Sequence, residues 1–268
     1  MNYSKITNLI KYSIPDIVRN QIHPRSTHVF CIGTPKSGTT SIAGIFDKHF
    51  RASHEPERVE LISLIHKHYN KSITDADYVK WLIKRDKRVW LDLESNCFLG
   101  YKPELLYHAY PKSKYILSVR NPLSWLDSMI NHTINYPPKS ELVIEYWHSM
   151  FFQHEKYPHS KYDEILKKYN VYAVESYLRY WNKSIKSVLD AIPKEQLLTL
   201  NTKAIRSSAN EIAYFLNIAP TRIDFQLDHL NKAPKKYNLL EQLDKSFLEQ
   251  SCKQYCTEMV DKLALDYY

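Results

Sequence analysis

Two glycines, Gly33 and Gly38, bracket a short loop that carries a lysine and runs into a pair of threonines: Gly33-Thr-Pro-Lys-Ser-Gly38-Thr39-Thr40. Residues of these types at this spacing do one kind of chemistry well, the binding of a tetrahedral anion. The backbone N–H groups of such a loop converge on the ligand, and the N-terminus of the following helix adds its partial positive charge. Thr39 and Thr40 supply hydroxyls and Lys36 a point charge. The chain has only four glycines, so placing two of them here is informative. The pattern departs from the nucleotide-triphosphatase loop, GxxxxGK[ST], in which the lysine follows the second glycine and a Ser/Thr holds Mg²⁺. Here Thr39 follows Gly38, and the lysine stands two places before it.

The elements that must position this loop are legible around it. His28–Ile32 is an apolar run with β-branched and aromatic residues, and Ile42, Ile45 and Phe46 recur at helical spacing after the loop, so the order is strand, loop, helix. Residues 58–86 read as an amphipathic helical stretch. Lys87–Asn96 reads as a strand in which Val89, Leu91 and Leu93 alternate with Trp90, Asp92 and Glu94, placing Asp92 and Glu94 on one strand face. A further apolar strand runs from Lys114 to Val119 and ends at Arg120, where Asn121 as N-cap and Pro122 as first helical residue open a helix that carries Ser128. Glu175–Ile192 is an amphipathic helix, and Gln196–Leu200 a core strand. Strands alternating with helices predict an α/β domain with a mainly parallel, four- to five-stranded sheet and helices on both faces, spanning residues 1–268. Sites in such sheets lie beyond the carboxyl ends of the strands.

Pro35-Lys36-Ser37-Gly38-Thr39-Thr40 resembles the 5′-phosphosulfate loop of sulfotransferases that use 3′-phosphoadenosine 5′-phosphosulfate (PAPS), and Arg120 with Ser128 eight positions on resembles their 3′-phosphate clamp. The resemblance extends more weakly over nearly the whole chain and implies the nucleotide-kinase-like sulfotransferase fold. It implies that Pro35 to Thr40 hold the 5′-phosphosulfate, that Lys36 neutralises charge on the leaving phosphate, and that Arg120 and Ser128 grip the 3′-phosphate. It places a catalytic base about twenty residues beyond the lysine, where His54, Glu55 and Glu57 cluster; Glu55 leads because it resembles a strand-end glutamate. Asp92 and Glu94 are candidates to contact the acceptor or assist the base. Asn231 and Lys232 stand where the cytosolic branch closes the nucleotide site with an Arg-Lys-Gly loop, a tripeptide this chain lacks, and Ser41 stands where that branch has an adenine-stacking tryptophan. The implied reaction moves a sulfuryl group from PAPS to an acceptor hydroxyl without a metal, leaving PAP. A carbohydrate is the favoured acceptor, with a phenol, a lipid-linked alcohol or a peptide tyrosine as alternatives. The aromatic-rich helical segment 129–180 falls on the acceptor side, although core packing accounts for most of its rings.

Composition sets the outer bounds. A net charge of +8 and a pI near 9.1 suit an anionic ligand. The basic residues are dispersed and no nucleic-acid-binding motif accompanies them. Cys31, Cys97, Cys252 and Cys256 show no zinc-like spacing and read as buried free thiols, which points to a reducing compartment. The first 26 residues lack the apolar stretch of a signal peptide and read as an amphipathic helical leader. With no apolar run long enough to span a bilayer, a cytoplasmic enzyme is expected. Two rivals remain, a P-loop nucleotide kinase and a PAP-binding module without catalysis; the first lacks its lysine.

Overall fold

The computed structural model describes residues 23–225 and 235–267. Most of the expected leader, together with Asn231 and Lys232, lies outside these residues.

The chain builds a five-stranded, all-parallel sheet. β1 (Val29–Cys31) is followed by α1 (Thr39–Asp47), β2 (Ala52–His54), α2 (Arg58–Tyr69), α3 (Asp75–Val89) and β3 (Leu93–Ser95). A 3₁₀ turn over Cys97–Tyr101 and α4 (Pro103–Ala109) lead to β4 (Lys114–Val119) and α5 (Pro122–Asn135). The short α6 (Glu141–Glu145) continues as a π-helical turn, Tyr146–Phe151, and α7 (Glu164–Lys168) and α8 (Val174–Ala191) precede β5 (Leu197–Asn201). α9 (Ala209–Leu216) and α10 (Lys245–Lys262) complete the described chain.

Strand order is β2-β3-β1-β4-β5, with Phe30 opposite both Glu94 and Tyr115. The chain leaves β1 toward one edge and later crosses to the other, so the order reverses at β1, where open α/β sheets bind their ligands. This topology brings the loop after β1 and the end of β4 side by side.

The period-two alternation of strands divides the core between the faces. Val29 and Cys31 of β1 pack with Ile116 of β4 against Ile42, Ile45 and Phe46 of α1 and Ile212 and Leu216 of α9. Phe30 and Ile32, with Tyr115, Leu117 and Val119, face the larger layer, where Trp125, Tyr177, Trp181, Cys252 and Met259 are completely buried. The segment 129–180 contributes mainly to that layer: Tyr146, Phe152 and Tyr177 are buried, and rings such as Phe152 and Tyr172 pack at a centroid distance of 4.4 Å. All four cysteines are free and buried.

The third strand differs from its expectation. Residues Asp75–Val89 are helical, Trp90 closes the helix in the left-handed region (φ 51°), and only Leu93–Ser95 is strand. The helix opens with a capping box in which the Thr74 side chain accepts from the Asp77 N–H and the Asp77 carboxylate accepts from the Thr74 N–H.

Candidate active site

The loop from Ile32 to Gly38 is held from several sides. Gly33 packs so tightly on β4 that a Cβ there would meet Ser118 Oγ at 2.2 Å and Ser118 O at 2.4 Å. Gly38 sits at φ 97°, a conformation glycine adopts freely, and caps α1; Lys36 is itself left-handed at φ 65°. The Ser37 hydroxyl donates to Thr34 O (2.6 Å) and lies 3.0 Å from Ser118 Oγ. The Ser37 side chain is fully buried and its hydroxyl ties the loop to β4. The Trp125 indole donates to Pro35 O (2.7 Å), and the Thr202 hydroxyl reaches Ser37 O (2.5 Å) and Val119 O (3.0 Å). Among the described residues, no backbone carbonyl accepts from the amides of Lys36, Gly38 or Thr39, which leaves these donors for an anion.

Arg120 emerges from β4 beside this loop. Its carbonyl accepts from the Trp181 indole (3.0 Å), fixing the backbone at the strand end. Asn121 and Pro122 begin α5 as expected, although the Asn121 Oδ1 accepts from Asn201 Nδ2 (3.1 Å) and does not cap the helix. Ser128 lies half-buried further along α5. Burial, and then the Arg120 charge, hold the Lys36 ammonium below its ordinary pKa; burial likewise lowers that of Arg120, against an opposing pull from Asp127. Neither cation has a carboxylate at ion-pair distance among the described residues.

Beyond β2 the chain makes a tight turn in which two non-glycine residues, Glu55 (φ 49°) and Glu57 (φ 51°), are left-handed. Each such residue costs on the order of 1–2 kcal/mol, so the surroundings must impose the turn. The Glu55 N–H donates to Ser95 O at the end of β3 (3.0 Å), Arg85 Nη2 donates to Pro56 O (2.5 Å), and the Arg88 guanidinium donates two hydrogen bonds to the Glu57 carboxylate. His54 Nε2 lies 3.2 Å from both Thr39 Oγ1 and Thr40 Oγ1, so the imidazole faces the hydroxyls at the mouth of the loop. Burial lowers its pKa, and Arg58 and Lys36 add to that against the pull of Glu55, which favours the neutral ring.

A family model described as a sulfotransferase domain matches residues 28–233. This chain belongs to the sulfotransferase family. No curated protein matches it. Among solved structures it is similar to a sulfotransferase from Alicyclobacillus acidocaldarius, at 16% identity and a TM-score of 0.49, covering 90% of this chain and 96% of that one. It is also similar to the sulfotransferase STF9 from Mycobacterium avium (14%, TM-score 0.48, 98% of this chain and 85% of that one). A third is the sulfotransferase domain of the Synechococcus PCC 7002 olefin synthase (14%, TM-score 0.41, 90% and 95%).

In this sulfotransferase the loop, Arg120 and the His54–Glu55 turn all lie at the carboxyl ends of β1, β4 and β2, whereas three of the candidate carboxylates have other tasks. Asp92 precedes β3 and lies at the opposite, amino edge of the sheet. It accepts from Arg51 Nε (2.8 Å) and Nη2 (3.0 Å) and from the Ser26 N–H (2.7 Å). Glu94 is 3% exposed and accepts from Arg85 Nη1 (2.7 Å) and Nη2 (2.8 Å) and from Asn96 Nδ2 (2.9 Å). Glu57 is bound to Arg88. These three are ion-pair partners that shape the protein, and the assignments of Asp92 and Glu94 to the acceptor and of Glu57 to proton transfer are corrected accordingly. Of the trio, His54 and Glu55 remain at the site.

The structure also adds residues that the sequence did not single out. Arg58, the first residue of α2, approaches Glu55 Oε2 (3.9 Å) with its side chain 59% exposed. The Cys97 thiol donates to Glu55 Oε1 (3.1 Å). His132 of α5 is half-buried, and burial followed by the charges of Lys36 and Arg58 pushes its pKa down to about 4, which places the ring within electrostatic reach of both cations. Its one sequence signal was its position four residues after Ser128, on the same helix face. Among the described residues no group of three or more His, Cys, Asp or Glu could hold a metal, and no helix is long and apolar enough to cross a membrane.

Proposed function

We propose that this sulfotransferase takes its sulfuryl group from PAPS and passes it to an acceptor hydroxyl, with Glu55 as the base. The observation that carries the donor assignment is the pair of half-buried cations, Lys36 within the loop and Arg120 at the end of β4, neither with a carboxylate at ion-pair distance among the described residues, beside loop amides that no backbone carbonyl engages. Two half-buried cations, one of which lowers the proton affinity of the other, are stabilised by a ligand with two separate anionic groups, and PAPS carries a 5′-phosphosulfate and a 3′-phosphate.

In this reading the amides of Lys36, Gly38 and Thr39 and the hydroxyls of Thr39 and Thr40 hold the 5′-phosphosulfate. Lys36 neutralises the charge that develops on the bridging phosphate oxygen as the S–O bond breaks. Arg120, as a planar fork, binds the 3′-phosphate, with Ser128 adding a hydroxyl. Glu55 accepts the acceptor's proton as its oxygen attacks sulfur. His54, neutral and against Thr39 and Thr40, orients those hydroxyls. A sugar hydroxyl is the favoured acceptor. The test is calorimetric binding of PAP and of ADP in EDTA, to wild type and to Arg120→Ala. The donor reading expects metal-free binding that prefers the 3′-phosphate and loses that preference in the variant; equal binding of ADP, or binding that requires Mg²⁺, overturns it.

A further inference from the structure

Glu55 has two oxygens in different surroundings. Oε1 receives the Cys97 thiol at 3.1 Å, while Oε2 faces the largely exposed Arg58 side chain at 3.9 Å. The Glu55 side chain is only 16% exposed. Cys97 is 8% exposed and begins the 3₁₀ turn directly after β3, where Asn96 caps the turn by accepting from the Phe98 N–H (3.0 Å). Ser95 O holds the Glu55 N–H, so the backbone and the side chain of Glu55 are gripped by residues two apart on the same strand end. We propose that Cys97 is a positioning residue whose S–H locks Glu55 Oε1 and leaves Oε2 as the oxygen that takes the acceptor's proton.

The chemistry of the pair supports the assignment. A thiol can serve a carboxylate as a donor only while it keeps its proton. Here burial, and then the Glu55 carboxylate itself, push the Cys97 thiol well above its ordinary range, which favours the protonated S–H. A serine at this depth could supply the same proton, whereas alanine could not. The other titratable or charged groups facing Glu55 are His54 (Nε2 to Oε1, 3.8 Å), Arg58 and, further off, the hydroxyls of Tyr146 and Tyr180. None of them donates to Oε1 at hydrogen-bond distance.

The proposal rests on Glu55 as the base, and its test separates the two claims. Infrared difference spectra of the full chain report the Cys97 S–H stretch, assigned as the signal missing from Cys97→Ala. The expected result is an S–H band at lower frequency in wild type than in Glu55→Gln, as donation to a carboxylate requires. Release of PAP from PAPS should fall about tenfold in Cys97→Ala with PAP affinity unchanged, and return toward wild type in Cys97→Ser, which keeps a donor. An S–H band at the same frequency in wild type and Glu55→Gln, with Cys97→Ala as fast as wild type, overturns the positioning role. Should the alanine variant fail to fold, Cys97→Val, which fills the same space without a donor, takes its place, and an unslowed release there overturns the role equally. Glu55→Gln that releases PAP from PAPS at the wild-type rate would instead refute the reading of Glu55 as base, whatever the spectra show.

Discussion

Arg85 is 2% exposed and joins β3 to the turn that presents Glu55: its guanidinium binds the buried Glu94 carboxylate with two hydrogen bonds and the Pro56 carbonyl with a third. Replacing it with methionine strands a carboxylate that is 3% exposed, and breaking a buried ion pair in this way costs roughly 3–5 kcal/mol. A domain of ordinary stability, about 5–15 kcal/mol, would survive that loss with a much lower urea midpoint. Adding Glu94→Gln removes the stranded charge while keeping an oxygen for Asn96 Nδ2, so Arg85→Met/Glu94→Gln should return to within about 1–2 kcal/mol of wild type. The two variants are alike in one respect: Pro56 O has lost its donor in both. The turn, with Glu55 and Glu57 at φ 49° and 51°, then lacks one of the contacts that impose it, and Glu55 is no longer held against its target. Misplacement of a reacting group by about an ångström costs on the order of a hundredfold in rate. We therefore expect the double variant to recover stability and remain about 10- to 100-fold slow in PAP release, with PAP affinity little changed. Urea denaturation, calorimetry with PAP and the release assay measure the three quantities. A double variant that recovers stability and full turnover together would show that the Arg85 contact to Pro56 does not position the base, and one that stays as unstable as the single variant would refute the electrostatic origin of the cost.

Three further outcomes follow from the geometry. Gly33→Ala forces a methyl against Ser118 O at 2.4 Å, a backbone atom that cannot swing aside, so the loop must lift from β4; PAP affinity should fall more than about tenfold and the melting temperature with it. Trp125→Phe keeps most of a fully buried ring but leaves Pro35 O without its indole donor, and should cost about 1–3 kcal/mol in urea unfolding and weaken PAP binding; an unaltered loop would be seen as wild-type affinity. His132 binds its proton more weakly when folded (about 4) than in the ordinary range near 6.5, so the unfolded chain takes up the proton first. Its contribution to stability is complete above about pH 6.5 and is lost as pH falls toward 4; at about 1.4 kcal/mol per unit the full loss is at most about 3 kcal/mol, less for a half-exposed ring. Wild type should accordingly lose about 1–2 kcal/mol more than His132→Gln between about pH 7 and 5, and parallel curves would contradict the placement of His132 among Lys36 and Arg58.

Much of this arrangement was legible because its signals are local. A glycine-bracketed loop between strand and helix, and an arginine followed by Asn-Pro at a strand end, announce themselves within a few residues, and the parallel pairing of β1 with β4 sets the two side by side. The start of the third strand was expected too early for a physical reason. α3 buries Tyr78, Leu82, Arg85 and Asp86, so half of its inward stripe is charged and the helical period fades toward its C-terminus, where Val89 and Leu91 then mimic strand alternation. Asp92 and Glu94 were misjudged because carboxylates beside a sheet look alike until their partners are known, and Arg51 lies forty-one residues away from Asp92 in sequence. Cys97 looked like any buried thiol; what gives it a neighbour of consequence is the parallel register of β2 with β3, which sets His54 opposite Ser95.

The distribution of charge then separates scaffold from site more sharply than any motif. Around α3 and β3 the acids and bases satisfy one another: Arg25 with Asp86 (2.7 Å), Arg51 with Asp92 (2.8 Å), Arg85 with Glu94 (2.7 Å) and Arg88 with Glu57. A paired guanidinium cannot bind phosphate without abandoning its carboxylate, so these arginines are excluded from ligand binding by the same contacts that order the turn. At the carboxyl edge the pattern reverses. Lys36 and Arg120 lack a carboxylate at ion-pair distance among the described residues, and Arg58 meets one only at 3.9 Å with its side chain largely in solvent. Cations left in this state repel each other in the free protein, and their repulsion is relieved when an anion arrives, which makes ligand binding favourable at the site and nowhere along the brace. If that is correct, Lys36→Met should leave the unliganded protein at least as stable as wild type while weakening PAP binding, whereas Arg51→Met, on the brace, should lower stability and leave PAP affinity nearly unchanged; the opposite pairing of effects would show that the division between scaffold and site has been drawn in the wrong place.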